Sequence, residues 1–385
     1  MQNKNFNPKL YPVLFGFFIM GFVDVVGIST SYVKSDFGLS DTLANLLPMM
    51  VFLWFAVFSV PTGLLMNKLG RRNTVLISMA FTFIAMLIPF FSYTFVLVLI
   101  AFAFLGIGNT ILQVSLNPLL TNVVRGDRLT SSLTLGQFIK AIASFLGPII
   151  AGVAASKFGN WKLIFPVFAV VTLLSSLWLL ATPIKESEAS QAKSSFGACF
   201  GLLGDKVILM LFLGILAVVG LDVGLNTIVP KFLMEKCQIP LEEAGLGTSL
   251  YFAARTLGTF IGAILLVKIS AAKFFRINIL VAIAAMAIIL FVGNLWGIAA
   301  MVFVLGFSLA NVFSIIFSAA IQRLPDRANE ISGLMIMGVA GGAVFPFLMG
   351  LATDYSGTQS GGMLVLFAAL VYLLFAAFRV KDAKK

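Results

Sequence analysis

Gly63-Leu64-Leu65-Met66-Asn67-Lys68-Leu69-Gly70-Arg71-Arg72 is a short basic interruption between two long apolar runs, and its reading decides the fold. The run before it, from about residue 43 to 66, and the run after it, from about 73 to 92, carry almost no charge. Each reaches the roughly 20 residues needed to cross the hydrocarbon core of a bilayer. Two helical spans joined by a tight, positively charged loop are therefore expected.

The same alternation continues in both directions. Spans are predicted at about 10–33, 43–66, 73–92, 95–123, 130–155, 162–182, 207–230, 244–267, 275–293, 296–321, 331–353 and 361–379. Twelve spans leave no segment for a sizeable soluble domain. Composition agrees, since a chain of 385 residues that is 60% hydrophobic, 11% charged and of mean hydropathy +1.06 cannot clothe a water-soluble globule. The first apolar run is too long for the core of a signal peptide and lacks a convincing cleavage site, so it is expected to stay in place. The fold class expected is an all-α membrane protein.

Orientation follows from the basic residues, which stay on the cytoplasmic side. With the N-terminus inside, 19 of the 26 Lys and Arg fall in inner segments and five in outer loops (Lys34, Lys157, Lys162, Lys231 and Lys236), while Lys140 and Arg255 lie inside spans. Both termini are expected in the cytoplasm, and the net charge of +11 reads as loop charge rather than a nucleic-acid surface. With no histidine and only Cys199 and Cys237, the chain has neither a metal-ligand set nor a disulfide framework. No metal and no cofactor are expected. An embedded enzyme would lack its usual chemistry, and a solute sensor would lack a signalling domain.

The Ser/Ala-rich, mixed-charge stretch Pro183–Asp205 divides the chain into halves, with a first bundle at 1–183, a linker at 184–205 and a second bundle at 206–385. Two echoes relate the halves: Gly21-Phe-Val-Asp24 in span one with Gly220-Leu-Asp222 in span seven, and Leu105-Gly106 in span four with Leu305-Gly306 in span ten. Their equivalent placement argues for a duplicated six-helix unit.

Of the acidic residues only Asp24 and Asp222 lie well inside spans. A charge there costs at least a few kcal/mol unless it faces a cavity or a partner. Two readings stay open: the acids bind solute and the driving proton, or they neutralise Lys140 and Arg255 as packing ion pairs. Asn109, Gln113 and Asn117 recur every fourth residue, which lays three amides along one face of span four. Such amides suit sugar hydroxyls, or serve as interhelical glue. Gln137, Asn226 and Asn311 complete the polar candidates for substrate binding, beside Lys140 and Arg255, which would suit an anionic group if they do not pair with the acids. Gly147-Pro148-Ile-Ile-Ala-Gly152 in span five partly resembles the Gly-Pro motif of drug/proton exporters, and a bend with close helix packing explains it equally well.

The loop quoted first resembles the signature of the major facilitator superfamily, in which Gly, three residues, Asp, a basic residue, any residue, Gly, Arg and a basic residue follow one another. Gly63, Lys68, Gly70, Arg71 and Arg72 match it, and Asn67 stands in place of the Asp. Within that superfamily the chain resembles the fucose/galactose/glucose proton symporter group nearly end to end. Asp24, Gln113–Pro118, Leu135-Gly-Gln137-Phe, Val219-Gly-Leu-Asp222, Ile315-Ile-Phe-Ser, Ser332-Gly-Leu and Gly341-Gly342-Ala-Val-Phe-Pro346 carry the resemblance. Three positions depart: Gln113 stands at the group's span-four glutamate, Lys140 at an Asn, and Arg255 one turn before Thr259, where the group tends to carry Arg. The resemblance implies two pseudo-symmetric six-helix bundles, alternating access and uptake of a monosaccharide or sugar-like solute. The coupling ion it implies is a proton, with sodium as the alternative. It further implies a monomer in a bacterial inner membrane, with lipid and one small solute as partners. A proton-driven exporter of amphiphilic compounds is the alternative within transport.

Overall fold

The structure, a computed structural model, describes residues 8–39, 43, 46–124, 128–186, 196–239 and 241–380. Arg125, Lys381 and the central part of the expected linker, 187–195, lie outside the described residues.

Among the described residues eleven helices are long and apolar enough to cross a membrane, and one further apolar helix is shorter. They are α1 (Leu10–Ser29), α2 (Met49–Leu69), α3 (Arg71–Phe91), α4 (Phe95–Thr121), α5 (Arg128–Phe158) and α6 (Trp161–Ala181), followed by α7 (Lys206–Cys237), α8 (Ser249–Leu265), α9 (Ala271–Phe291), α10 (Leu295–Arg323), α11 (Pro325–Ser356) and α12 (Gln359–Arg379). Twelve helices therefore stand where twelve spans are expected. Their outer faces are apolar, as Leu174, Phe291 and Phe145 illustrate at 60%, 91% and 68% exposure. Such a surface needs hydrocarbon, not water, against it.

The helices group into two compact units. One comprises Met1–Arg125, Gly136–Cys199 and Pro325–Met337, and the other Gly126–Leu135, Phe200–Leu324 and Gly338–Lys385. The two echoes in the sequence have the same packing role in each. In the first unit a side chain at Gly106 of α4 would meet the Val51 carbonyl of α2 at 2.5 Å; in the second, one at Gly306 of α10 would meet the Tyr251 carbonyl of α8 at 2.6 Å. Likewise Gly21 of α1 lies against the Lys140 carbonyl of α5, and Gly220 of α7 against the Phe345 ring of α11. Each glycine joins a helix to the partner six helices further on from the other's partner. A Cβ would collide with a backbone carbonyl at Gly21, Gly106 and Gly306 and with an aromatic ring at Gly220, so all four contacts require glycine.

Among the described residues three spans are interrupted within their length. α1 tightens into a 3₁₀ turn at Gly21–Asp24, α10 breaks between Leu309 and Val312, and α11 tightens at Gly338–Ala340. Broken membrane helices free backbone polar groups, which other groups must then satisfy.

Candidate functional site

In the first unit the break in α1 sets the geometry. Asp24 ends the 3₁₀ turn, half-buried, and the Ser144 hydroxyl of α5 donates to its Oδ2. That hydroxyl also lies 3.0 Å from the Lys140 carbonyl one turn earlier. Among the described residues Asp24 and Lys140 form no ion pair, so the packing pair considered from sequence is absent here. Lys140 and Gln137 are both half-buried on α5.

The expected amide row on α4 exists and is tied to the same break. Asn109 Nδ2 donates to the Met20 carbonyl at 2.8 Å, Gln113 Nε2 donates to Asn109 Oδ1 at 2.7 Å, and Asn117 Nδ2 donates to the Gln113 carbonyl at 2.8 Å. All three amides are buried, at 1%, 8% and 1% exposure. Part of their hydrogen-bonding capacity is thus spent holding α4 to the end of α1's first segment. Asn117 Oδ1 is buried with no partner among the described residues, an acceptor available to a ligand hydroxyl or a water.

In the second unit Asp222 of α7 has ionic company. Arg255 Nη1 of α8 donates to its Oδ2 in an ion pair, and the Tyr251 hydroxyl donates to its Oδ1 at 2.8 Å. The side chains of Arg255 and Asp222 keep 33% and 20% of their surface exposed, while Tyr251 is buried at 1%. They border a cavity of about 30 Å³ with Val218, Val219, Leu309 and Phe313. Ligand pockets run to roughly 300–1,000 Å³, so this space suits a water rather than a sugar. Asn311 sits at the break in α10, where its Nδ2 donates to the Gly258 carbonyl at 2.9 Å, and Asn226 is half-buried one turn after Asp222 on α7. Tyr251 acts here through its hydroxyl.

The loop between α2 and α3 forms a third polar centre, in the first unit. Gly70 has φ +82°, a conformation that favours glycine, and a Cβ there would come within 3.0 Å of Glu186. Glu186 caps the start of α3: the backbone N–H groups of Arg71 and Arg72 donate to its carboxylate at 2.6 and 2.8 Å. An acid at a helix N-terminus is favoured by the orphan amides there. The Arg71 side chain donates to Asn329 Oδ1 at 2.7 Å and to Asn122, Thr121 and the Pro118 carbonyl. Arg72 reaches the Leu179 and Leu180 carbonyls, Lys68 is exposed, and Gly63 packs against the Asn329 carbonyl. Asn67 Nδ2 donates to Glu330 Oε1 at 3.1 Å and its Oδ1 accepts from Asn329 at 2.6 Å. Glu330 is 4% exposed, and Arg327 stands 3.9 Å from it. Nearby Cys199 is buried, and burial together with the Glu330 charge pushes its thiol up to about 11.

Glu330, Asn329 and Glu186 were not legible as functional in the sequence. Each stands at the edge of a span or in a connection, where a lone polar residue is ordinary.

Three comparisons bear on this geometry. The sequence profile of the Major Facilitator Superfamily matches residues 13–338. A glucose/galactose transporter of Brucella abortus is 26% identical over 378 residues, covering 92% of this chain and 90% of its own, and a putative glucose/galactose transporter of Helicobacter pylori is 26% identical over 395 residues, covering 96% and 95%. Among solved structures, the Escherichia coli fucose:proton symporter FucP superposes with a TM-score of 0.85 at 15% identity over 97% of this chain and 98% of its own. The proton:xylose symporter XylE does so with a TM-score of 0.74 at 14% identity over 98% and 96%.

Proposed function

Taking as its premise that the chain belongs to the Major Facilitator Superfamily, we propose that it imports a neutral monosaccharide of the hexose class by alternating access, driven by a proton carried on Asp24. The observation that carries the reading is the state of that carboxylate. It lies at a break in a membrane span, bonded to a neutral hydroxyl and outside any ion pair among the described residues. Desolvation disfavours a charged carboxylate, so a site that is alternately dry and wet is what such coupling requires. The amide row on α4, with Gln137 on α5, supplies donors and acceptors for sugar hydroxyls. The names of the relatives supply the substrate class. Arg255 is engaged by Asp222, which argues against an anionic solute.

The protein then sits in a bacterial inner membrane with both termini cytoplasmic, each six-helix half (1–183 and 206–385) acting as one bundle. Support comes from the 19-to-five distribution of basic residues. With Cys237 removed, a Ser195→Cys protein should react with a membrane-impermeant maleimide only from the inside, since buried Cys199 stays silent.

Purified protein in liposomes tests the function. An acid exterior should drive labelled glucose or galactose above equilibrium, and a protonophore should abolish the excess. Accumulation that follows a sodium gradient instead, or none with any neutral hexose, would overturn the reading.

A further inference from the structure

The two glycines of Gly147-Pro148-Ile-Ile-Ala-Gly152 in α5 are not used for close helix packing: a Cβ at Gly152 would meet nothing within 4 Å, and at Gly147 nothing nearer than the Phe168 ring at 4.0 Å. Beside this stretch lies a groove of about 650 Å³, within the first unit and between α5 and α6. Ile149, Val153 and Phe158 line it from α5, and Leu163, Val167 and Val170 from α6. Every lining residue is apolar. The best apolar window of α5 is only 24% buried by protein, the lowest share of the eleven long spans. In a membrane such a space is filled by hydrocarbon.

The turn that joins the two helices decides which hydrocarbon. Phe158 and Leu163 mark the turn end of the groove, and next to them in the chain stand Lys157 and Lys162. These are two of the five basic residues assigned to outer loops, where bases are otherwise sparse. Lys157 is exposed, and Lys162 lies half-buried with its ammonium 4.3 Å from the centre of the Tyr93 ring. Asp36 accepts from the Tyr93 hydroxyl at 2.7 Å and from Trp161 Nε1 at 2.9 Å. The aromatic contacts thus fix Lys162 without a carboxylate ion pair among the described residues.

We propose that this groove is a site for an anionic phospholipid, with an acyl chain along Ile149, Val153, Val167 and Val170 and the phosphate between Lys157 and Lys162. Apolar shape selects the chain, and the lysine pair selects the charge. The site is separate from Asp24 and does not depend on the transported solute.

Native mass spectrometry of the delipidated protein in detergent tests it, titrating phosphatidylglycerol against phosphatidylcholine of the same acyl chains. Wild type should retain the anionic lipid at lower concentration. Lys157→Gln should weaken that preference about fivefold, the value expected of roughly 1 kcal/mol per basic residue near a lipid surface, with the Lys162–Tyr93 contact left in place. The Lys157→Gln/Lys162→Gln protein should bind both lipids alike. Filling the groove with Val153→Phe and Val167→Phe, at positions 45% and 43% exposed, should lower retention of both lipids. Equal binding of the two lipids by wild type would overturn the proposal. So would a preference that survives the double lysine change, or dimers whose formation the added phenylalanines block.

Discussion

Asp24 and Asp222 occupy echoing places in α1 and α7, yet their surroundings differ in kind. Asp24 accepts from a serine hydroxyl on α5, whereas Asp222 is held by a guanidinium and a phenol on α8. The duplicated scaffold shows where the difference arises. Gly106 packs on Val51 in the first unit as Gly306 packs on Tyr251 in the second, so Val51 corresponds to Tyr251 and, one turn on, Phe55 to Arg255. Val51 and Phe55 are buried and apolar. One copy of the unit thus lacks, at the places of Tyr251 and Arg255, the groups that hold the other copy's carboxylate. The other supplies a guanidinium and a phenol as its partners. A duplicated fold keeps its close glycine contacts in both copies while a few side chains on one helix give the two carboxylates different partners.

The largest effect should come from Asp24→Asn. Accumulation driven by a proton gradient should fall to the equilibrium level, while exchange of labelled for unlabelled sugar persists, because exchange need not return an empty carrier. Full gradient-driven uptake by this protein would end the assignment of coupling to Asp24.

Arg255→Gln should come next. It leaves Asp222 charged beside a cavity too small for a solute, at a cost of about 1–3 kcal/mol, less than for a fully buried pair because both groups keep some exposure. The thermal midpoint in detergent should drop, and Asp222→Asn/Arg255→Gln should recover most of it with proton-driven uptake intact. If the double variant stays folded but uncoupled, the contrast between the two acids collapses.

The loop between α2 and α3 offers the same contrast of neutral and charged partners at a smaller scale. Asn67→Asp installs the family's usual residue, but here a second carboxylate would face Glu330 across 3.1 Å. Repulsion tempered by Arg327 and Arg71 should cost on the order of 1–2 kcal/mol and slow transport. Asn67→Asp/Glu330→Gln should restore the rate. A single variant as active as wild type would show that charge at position 67 is not opposed by Glu330.

Asp205, at the start of α7, should give the smallest effect. Burial acts against its charge, but the Arg323 ion pair and the backbone N–H groups of Val207 and Ile208 outweigh it, so the carboxyl is held below its ordinary value of 3.8. Because the folded protein favours the charged form, the contribution is present above that value and lost as the pH falls below it. Asp205→Asn should flatten acid destabilisation slightly in thermal unfolding followed from pH 5 to pH 3, and an unchanged profile would remove the pair from the account.

Much of the fold was legible in the chain itself. Runs of about 20 apolar residues must become helices in a bilayer, where every backbone polar group needs an internal partner, and their number and order follow directly. The paired Gly-Asp and Leu-Gly echoes reported the duplication, and periodicity placed Asn109, Gln113 and Asn117 on one face before any contact was known. The partners of the charges were not legible. Ser144 is 120 residues from Asp24, Tyr251 is 29 from Asp222, and Glu330 is 263 from Asn67. Sequence spacing determines which residues share a helix face, because the helix has a fixed period. It cannot say which face of another helix lies opposite, since packing sets that through glycine contacts and breaks spread over the whole chain. The tertiary structure alone therefore decided that Arg255 pairs with Asp222 while, among the described residues, Lys140, the other base within a span, forms no ion pair with Asp24.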